Sequence, residues 1–255
     1  MKYLAFLIIC GVAALAQTPP PAKAPAKTPA KTAAPGAPAK AAAPSNRPSA
    51  ALMNPAALRA RAPETFTVKF VTTHGDFTVE VHRAWSPLGA DRFYNLVKNN
   101  FFTDAAFFRY VNNFIVQFGL PANPAIAKVW ENARIKDDPH TQSNSKGTLV
   151  FATAGPNTRT TQFFINLKDN PGLDAQGFTP FGTVTEGMDV VAGLFSGYGE
   201  SPSQERITAE GNAYLDKNFP KLDKIKSATV TSQSAPAPAA AAPKKAATPA
   251  TPAKK

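Results

Sequence analysis

The run Phe107-Phe108-Arg109-Tyr110-Val111-Asn112-Asn113-Phe114-Ile115-Val116-Gln117-Phe118-Gly119 places one arginine and one glutamine among aromatic and β-branched residues. Two apolar runs separated by Asn112-Asn113 predict a strand, a tight turn and a second strand. Period-2 alternation sets Arg109 on the face of Phe107 and Val111. A guanidinium on such a face is costly unless a partner or a ligand meets it. Without its neighbours, Arg109 reads as an arginine in an ordinary ion pair at a sheet rim.

A second run, Phe151-Ala152-Thr153-Ala154-Gly155-Pro156-Asn157-Thr158-Arg159-Thr160-Thr161-Gln162-Phe163-Phe164-Ile165-Asn166, joins small residues and a Gly-Pro-Asn turn to another aromatic strand. Together the two runs resemble the cyclophilin family of peptidyl-prolyl isomerases. The pieces Ala154-Gly155-Pro156-Asn157-Thr158 and Gln162-Phe163-Phe164-Ile165 match that family's second motif residue for residue. Phe181-Gly182-x-Val184-x-Glu186-Gly187-Met188 follows where the family has it. The resemblance spans residues 64–231, and its order and spacing make it more specific than one short motif.

Of the 255 residues, 28 are Lys or Arg and 17 are Asp or Glu, a formal charge of +11. Every acidic residue lies between Glu64 and Asp223. The basic excess therefore belongs to the two ends and says little about the foldable middle. Met1-Lys2-Tyr3, the apolar run Leu4 to Ala16 and the close Ala14-Leu15-Ala16 have the form of a secretory signal peptide. The apolar run is well short of the ~20 residues that a membrane span needs, so no transmembrane span is expected after signal cleavage. The single cysteine, Cys10, lies inside this segment and bulky Ile9 precedes it, which argues against a lipid-anchored form. A mature chain without thiols suits a periplasmic or secreted site, and the resemblance is to an exported bacterial member.

Four segments follow: a signal peptide over 1–16, a disordered Pro/Ala/Lys-rich linker over 17–62, an isomerase-like domain over 63–231 and a disordered Ala/Pro/Lys-rich tail over 232–255. The linker and tail hold too few large apolar side chains to offset the entropy of ordering. They read as solvated tethers, with anionic cell-envelope polymers as the partner their lysines would suit and nucleic acid disfavoured by export. A monomer is expected.

Within the domain, Thr65–Thr72 and Phe77–Val81 alternate as strands around His74-Gly75-Asp76. Ser86-Pro87 is an N-cap followed by a first-turn proline, and Ala90, Phe93, Leu96 and Val97 recur at helical spacing until Asn99-Asn100. Residues 120–146 read as a long ordered loop with at most a helical turn. Strands at 148–153, 162–167 and 180–184, a short helix at 188–195, a polar loop and a last strand at 224–231 complete the pattern. Many strands without sustained βαβ alternation indicate a mainly β, antiparallel architecture. The resemblance sharpens this to a closed eight-stranded β-barrel capped by two α-helices, a closure that would remove sheet edges.

By the resemblance, the function is peptidyl-prolyl cis-trans isomerisation of X-Pro bonds in unfolded or partly folded exported proteins. Arg109 takes the place of the family's catalytic arginine and Gln117 that of the glutamine that positions it. Phe114, Ile115, Phe164 and Leu173 fall on the proline-pocket positions, Ala152 and Thr153 where substrate backbone is bound, and Phe178 near a pocket-rim histidine. Strict alternation does not put Phe114, Ile115 and Gln117 on one surface, so a bend is required. Such rotation needs no cofactor and no metal, and His74, His82 and His140 lack ligand spacing. Phe108 stands where histidine is usual, Phe118 replaces a glycine and is expected to crowd the groove floor, and Gly172 replaces an aromatic wall. Arg159 is expected to be a solvated turn residue. These departures leave an alternative, a catalytically weak binding module for Pro-containing segments tethered in the cell envelope.

Overall fold

The computed structural model describes residues 47–234. The signal-peptide reading over 1–16, the linker up to residue 46 and the tail beyond 234 lie outside the described residues. Eight strands form one antiparallel sheet: β1 (Thr65–Thr72), β2 (Asp76–His82), β3 (Arg109–Val111), β4 (Ile115–Phe118), β5 (Thr148–Phe151), β6 (Phe163–Asn166), β7 (Pro180–Glu186) and β8 (Ile225–Gln233). Their spatial order is β3-β4-β6-β5-β7-β2-β1-β8. Strands β1 and β2 alternate as expected: β1 turns Phe66, Val68 and Phe70 inward, β2 turns Phe77, Val79 and Val81 inward, and all six are essentially without solvent contact. Thr72 locks the turn between them, its Oγ1 accepting from the amides of His74 and Gly75 at 3.1 Å each.

The expected closed barrel is not what forms. The sheet is an open, curled half-barrel whose edge strands β3 and β8 share no ladder. The chain just before β3 bridges the seam instead: Asp104 N donates to Ile225 O at 2.8 Å, Ile225 N to Ala105 O at 2.9 Å and Phe107 N to Asp223 O at 3.0 Å. These three bonds close the seam without extending β3, whose only strand partner is β4. This crossing also overturns simple alternation. Phe107 packs into the main core against Phe77 and Phe118, while Arg109 points to the opposite side.

Nor are there only two helices. Besides α1 (Pro87–Lys98), the described residues hold α2 (Pro124–Trp130), α3 (Met188–Gly193), α4 (Gln204–Glu210) and α5 (Asn212–Asn218). Helix α1 lays Phe93 against Phe163 and Phe181 of the sheet, ring centroids 5.4 and 5.2 Å apart. Ser86 is its N-cap residue, but its hydroxyl does not cap. Asp138 does, its carboxylate accepting from the Ser86 hydroxyl at 2.5 Å and from the amides of Leu88 and Gly89 at 3.0 and 2.9 Å. An anion there suits the helix N-terminus.

The expected linker boundary also moves. Residues 50–57 form two short 3₁₀ turns and Leu52 is fully buried. The Leu52 carbonyl accepts from Trp130 Nε1 at 2.8 Å, and Ala60 and Ala62 donate their amides to Asn95 and Asp91 of α1. One leucine and borrowed hydrogen bonds order a strap that has no core of its own. At the other end β8 runs to Gln233, and Ser234 N still donates to Thr65 O at 2.8 Å.

Candidate functional site

The register of the sheet assembles the site. Arg109 pairs with Gln117, Gln117 with Phe164 and Phe164 with Val150. Paired residues share a face, so these four form one row across β3, β4, β6 and β5 on the side away from the main core. The intervening row, Tyr110, Val116, Ile165 and Leu149, faces the core. Ile115 stands two residues before Gln117 and joins Val150, Phe164 and Leu173 in a separate apolar cluster. The required bend is simpler than a bulge: Phe114 precedes β4, in the hairpin turn, where Asn113 adopts a left-handed φ of 53°. The Phe114 carbonyl accepts from Leu167 N at 2.9 Å and Asn170 Nδ2 at 3.0 Å, which holds the turn against the β6 exit.

Every residue expected at the site, Arg109, Gln117, Phe114, Ile115, Ala152, Thr153, Phe164, Leu173 and Phe178, lines one cavity of about 510 Å³. Its apolar wall is Phe114, Ile115, Phe164, Leu173 and Phe178, with the rings of Phe164 and Phe178 edge to face at 5.6 Å. Its polar wall is a chain of amides and one cation. Arg109 Nη1 donates to Gln117 Oε1 at 3.0 Å, and Gln117 Nε2 donates to Gln162 Oε1 at 2.8 Å. Gln117 is only 5% exposed, so this relay holds its amide in one orientation. Glu200 approaches from the other side, its Oε1 accepting from Arg109 Nε at 2.6 Å and forming an ion pair with Nη2 at 2.5 Å.

The floor beside this wall is a tight turn. Thr153 and Thr158 hydroxyls lie 2.8 Å apart and both reach the Gly155 carbonyl, while Ala154 N donates to Thr158 Oγ1 at 2.9 Å. Gly155 takes a φ of +123°, and a Cβ there would meet nothing within 4 Å, so backbone conformation alone demands glycine. Ala152 N already donates to the Gln162 carbonyl at 3.0 Å, which leaves its own carbonyl for other contacts.

Arg159, expected in solvent, is 4% exposed. Its guanidinium pairs with Asp138 at 3.0 Å, donates to the Lys136 carbonyl and sits over the Phe151 ring at 5.3 Å. Its Nε lies 3.3 Å from Asp137 but out of line for a hydrogen bond. The residue therefore faces away from the cavity, and by anchoring the chain inward it presents its neighbours Thr158 and Thr160 to the cavity wall. Phe118, expected to crowd the groove, is fully buried on the core side among Phe70, Phe102, Phe107 and Phe163. Gly172 lies on the outer rim with Phe114 and Leu173, and a Cβ there would meet nothing within 4 Å.

Beside the pocket, Asp174 secures the 3₁₀ turn Pro171–Gln176 that carries Leu173. Burial opposes its charge, but hydrogen bonds from the Ser143 hydroxyl and from the side chain and backbone amide of Asn144 prevail and hold its carboxyl below the ordinary value of 3.8. Sequence reasoning missed Gln162, Gln176, Gln204 and Glu200. Gln162 sits inside the matched Gln-Phe-Phe-Ile piece, a signal that was available. Glu200 and Gln204 lie in a polar segment with no period to place them.

Comparison with known proteins identifies the family. Residues 67–212 match the family model described as cyclophilin type peptidyl-prolyl cis-trans isomerase/CLD. A peptidyl-prolyl cis-trans isomerase of Acinetobacter baylyi is 34% identical over 139 residues, 52% of this chain and 74% of its own length. A peptidyl-prolyl cis-trans isomerase-like 1 protein of Aspergillus niger is 34% identical over 127 residues, 49% of this chain and 78% of its own. A crystal structure of a Cryptosporidium parvum cyclophilin type peptidyl-prolyl cis-trans isomerase aligns with a TM-score of 0.49 at 20% identity, over 67% of this chain and 99% of its own. The assignment rests on the sequence comparisons: the chain belongs to the cyclophilin family and is a cyclophilin-type peptidyl-prolyl cis-trans isomerase.

Proposed function

We propose that Arg109 drives the isomerisation by donating a hydrogen bond to the prolyl nitrogen of an X-Pro bond whose ring sits among Phe114, Ile115, Phe164, Leu173 and Phe178. Amide resonance sets the barrier to rotation at about 18–20 kcal/mol. As the bond twists, the nitrogen loses its double-bond character and becomes an acceptor. A fixed guanidinium beside an apolar pocket then stabilises the twisted form more than either planar one. Each tenfold of rate asks for about 1.4 kcal/mol of that difference. No bond breaks, so no base or nucleophile is needed.

The observation that carries this reading is the hydrogen-bonded line Arg109, Gln117, Gln162 in a cavity that Phe114, Ile115, Phe164, Leu173 and Phe178 also line. Gln117 orients the guanidinium, and the carbonyl of Ala152 with the backbone of Thr153 holds the substrate chain. The substrates are X-Pro segments of exported, incompletely folded proteins in the periplasm or outside the cell. The charged, apolar and small-residue order of residues 1–16 supports that placement, and among the described residues no helix is long and apolar enough to cross a membrane.

The protein-side test is titration with a short Ala-Pro peptide followed by amide and methyl NMR. Shifts concentrated on Ile115, Ala152, Thr153 and Leu173 are expected. A separate cleft lies between α1 and the strap, lined by Pro55, Leu58, Asn95 and Arg134, and shifts centred there would overturn the assignment of the pocket. For export, the expected mature N-terminus follows Ala16, and a chain that retains Met1 in the cytoplasmic fraction would contradict it.

A further inference from the structure

We propose that Glu200 is a positioning residue for Arg109, supplied by the helical segment 196–223, and that it raises turnover by holding the guanidinium in its working orientation. This rests on the reading of Arg109 just given.

The guanidinium has five N–H groups in a rigid fork. Gln117 accepts one from Nη1, and Glu200 Oε1 accepts the Nε–H while lying 2.5 Å from Nη2 as an ion pair. Two of five donors are thus held from two sides, which fixes the plane of the group. Three remain, one on Nη1 and two on Nη2, and these can meet an acceptor in the cavity. The prolyl nitrogen is a weak, neutral acceptor that needs a donor aimed at it throughout the twist, and an arginine free to sample its rotamers would offer one only part of the time. A carboxylate beside the cation also lowers its field. That penalty is small against a neutral acceptor, and Glu200 is 59% exposed, so water screens its charge.

The carboxylate is not on a loose arm. Gly199 O accepts from Tyr110 N at 3.1 Å, tying the residue before Glu200 to the residue after Arg109. On the other side Ser203 N donates to the Tyr214 hydroxyl at 3.1 Å. Beneath lies a second apolar core in which Phe108 packs with Leu120, Ile207, Tyr214, Leu215 and Leu222. Phe108, the residue that departs from the family motif, is thus the contact through which the segment docks beside Arg109.

The test uses the full chain, with Glu200→Ala and Arg109→Ala, cis/trans exchange of an Ala-Pro peptide by NMR over a range of peptide concentrations, and hydrogen exchange of the Arg109 Nε–H. In Glu200→Ala, kcat should fall about five- to tenfold while KM stays within twofold, and the Nε–H should exchange several times faster. Turnover equal to or above the unsubstituted chain overturns the proposal, as does a loss seen only in KM or a fall in kcat with Nε–H exchange unchanged. Full turnover by Arg109→Ala would instead overturn the role of Arg109 itself, so the two failures are distinct.

Discussion

Asp138 links parts of the molecule that composition gave no reason to connect. Its carboxylate, 4% exposed, pairs with Arg159 and caps α1 through Ser86, Leu88 and Gly89. Removing it leaves the buried Arg159 guanidinium with only the more exposed Asp137 beside its Nε and uncaps α1, at a cost of about 3–5 kcal/mol. Asp138→Ala should lower stability by that amount in urea unfolding and speed hydrogen exchange at the first amides of α1, and a loss under 1 kcal/mol would contradict the assignment. Gly172 makes a different prediction. Because a side chain there meets open space at the cavity rim, Gly172→Trp restores the wall the resemblance led us to expect. Cyclosporin-type ligands should then bind at least tenfold tighter while Ala-Pro turnover changes less than twofold. Equal affinity in a fluorescence titration would show that the wall is not what limits these ligands.

Elements were legible where one period held over several residues. Strands β1 and β2 and the apolar stripe of α1 were read with their faces, because alternate burial was written directly into Phe66, Val68, Phe70 and Ala90, Phe93, Leu96, whereas the hairpin around Asn112-Asn113 was read as a hairpin but with Phe107 on the wrong face. Helices α4 and α5 were missed. Each is one short amphipathic turn pair whose apolar face, Ile207 or Tyr214 with Leu215, gains meaning only against Phe108, far back in the chain just before β3. The strap 47–62 was missed for the same reason, since a lone Leu52 is no pattern. At the site, the lining was legible through the motif pieces, but Glu200 and the inward turn of Arg159 depend on contacts 91 and 21 residues apart in the chain. Phe108 offers the test at this scale. Phe108→His would bury an imidazole among Ala106, Leu120, Ile207 and Leu222 without a partner, at about 1–3 kcal/mol for the unsatisfied group alone. Denaturant unfolding should show that loss, and an unchanged midpoint would mean that the second core does not depend on Phe108.

At the scale of the molecule, an open curled sheet separates two faces. The inner face is a continuous aromatic core from Phe66 to Phe181 that makes the frame rigid. The outer face of β3, β4, β6 and β5 carries the cavity, so that a ligand bound there would leave the core undisturbed. The cavity lining named above falls within residues 47–234, and these residues should carry the activity by themselves. The most direct test is the cis/trans exchange rate of a short Ala-Pro peptide, measured by NMR with the full chain, with residues 47–234, and with Arg109→Ala in each. The account predicts equal acceleration by the full chain and by 47–234, and a loss of at least tenfold in both Arg109→Ala variants with the amide spectrum otherwise preserved. Acceleration that survives in well-folded Arg109→Ala would contradict it.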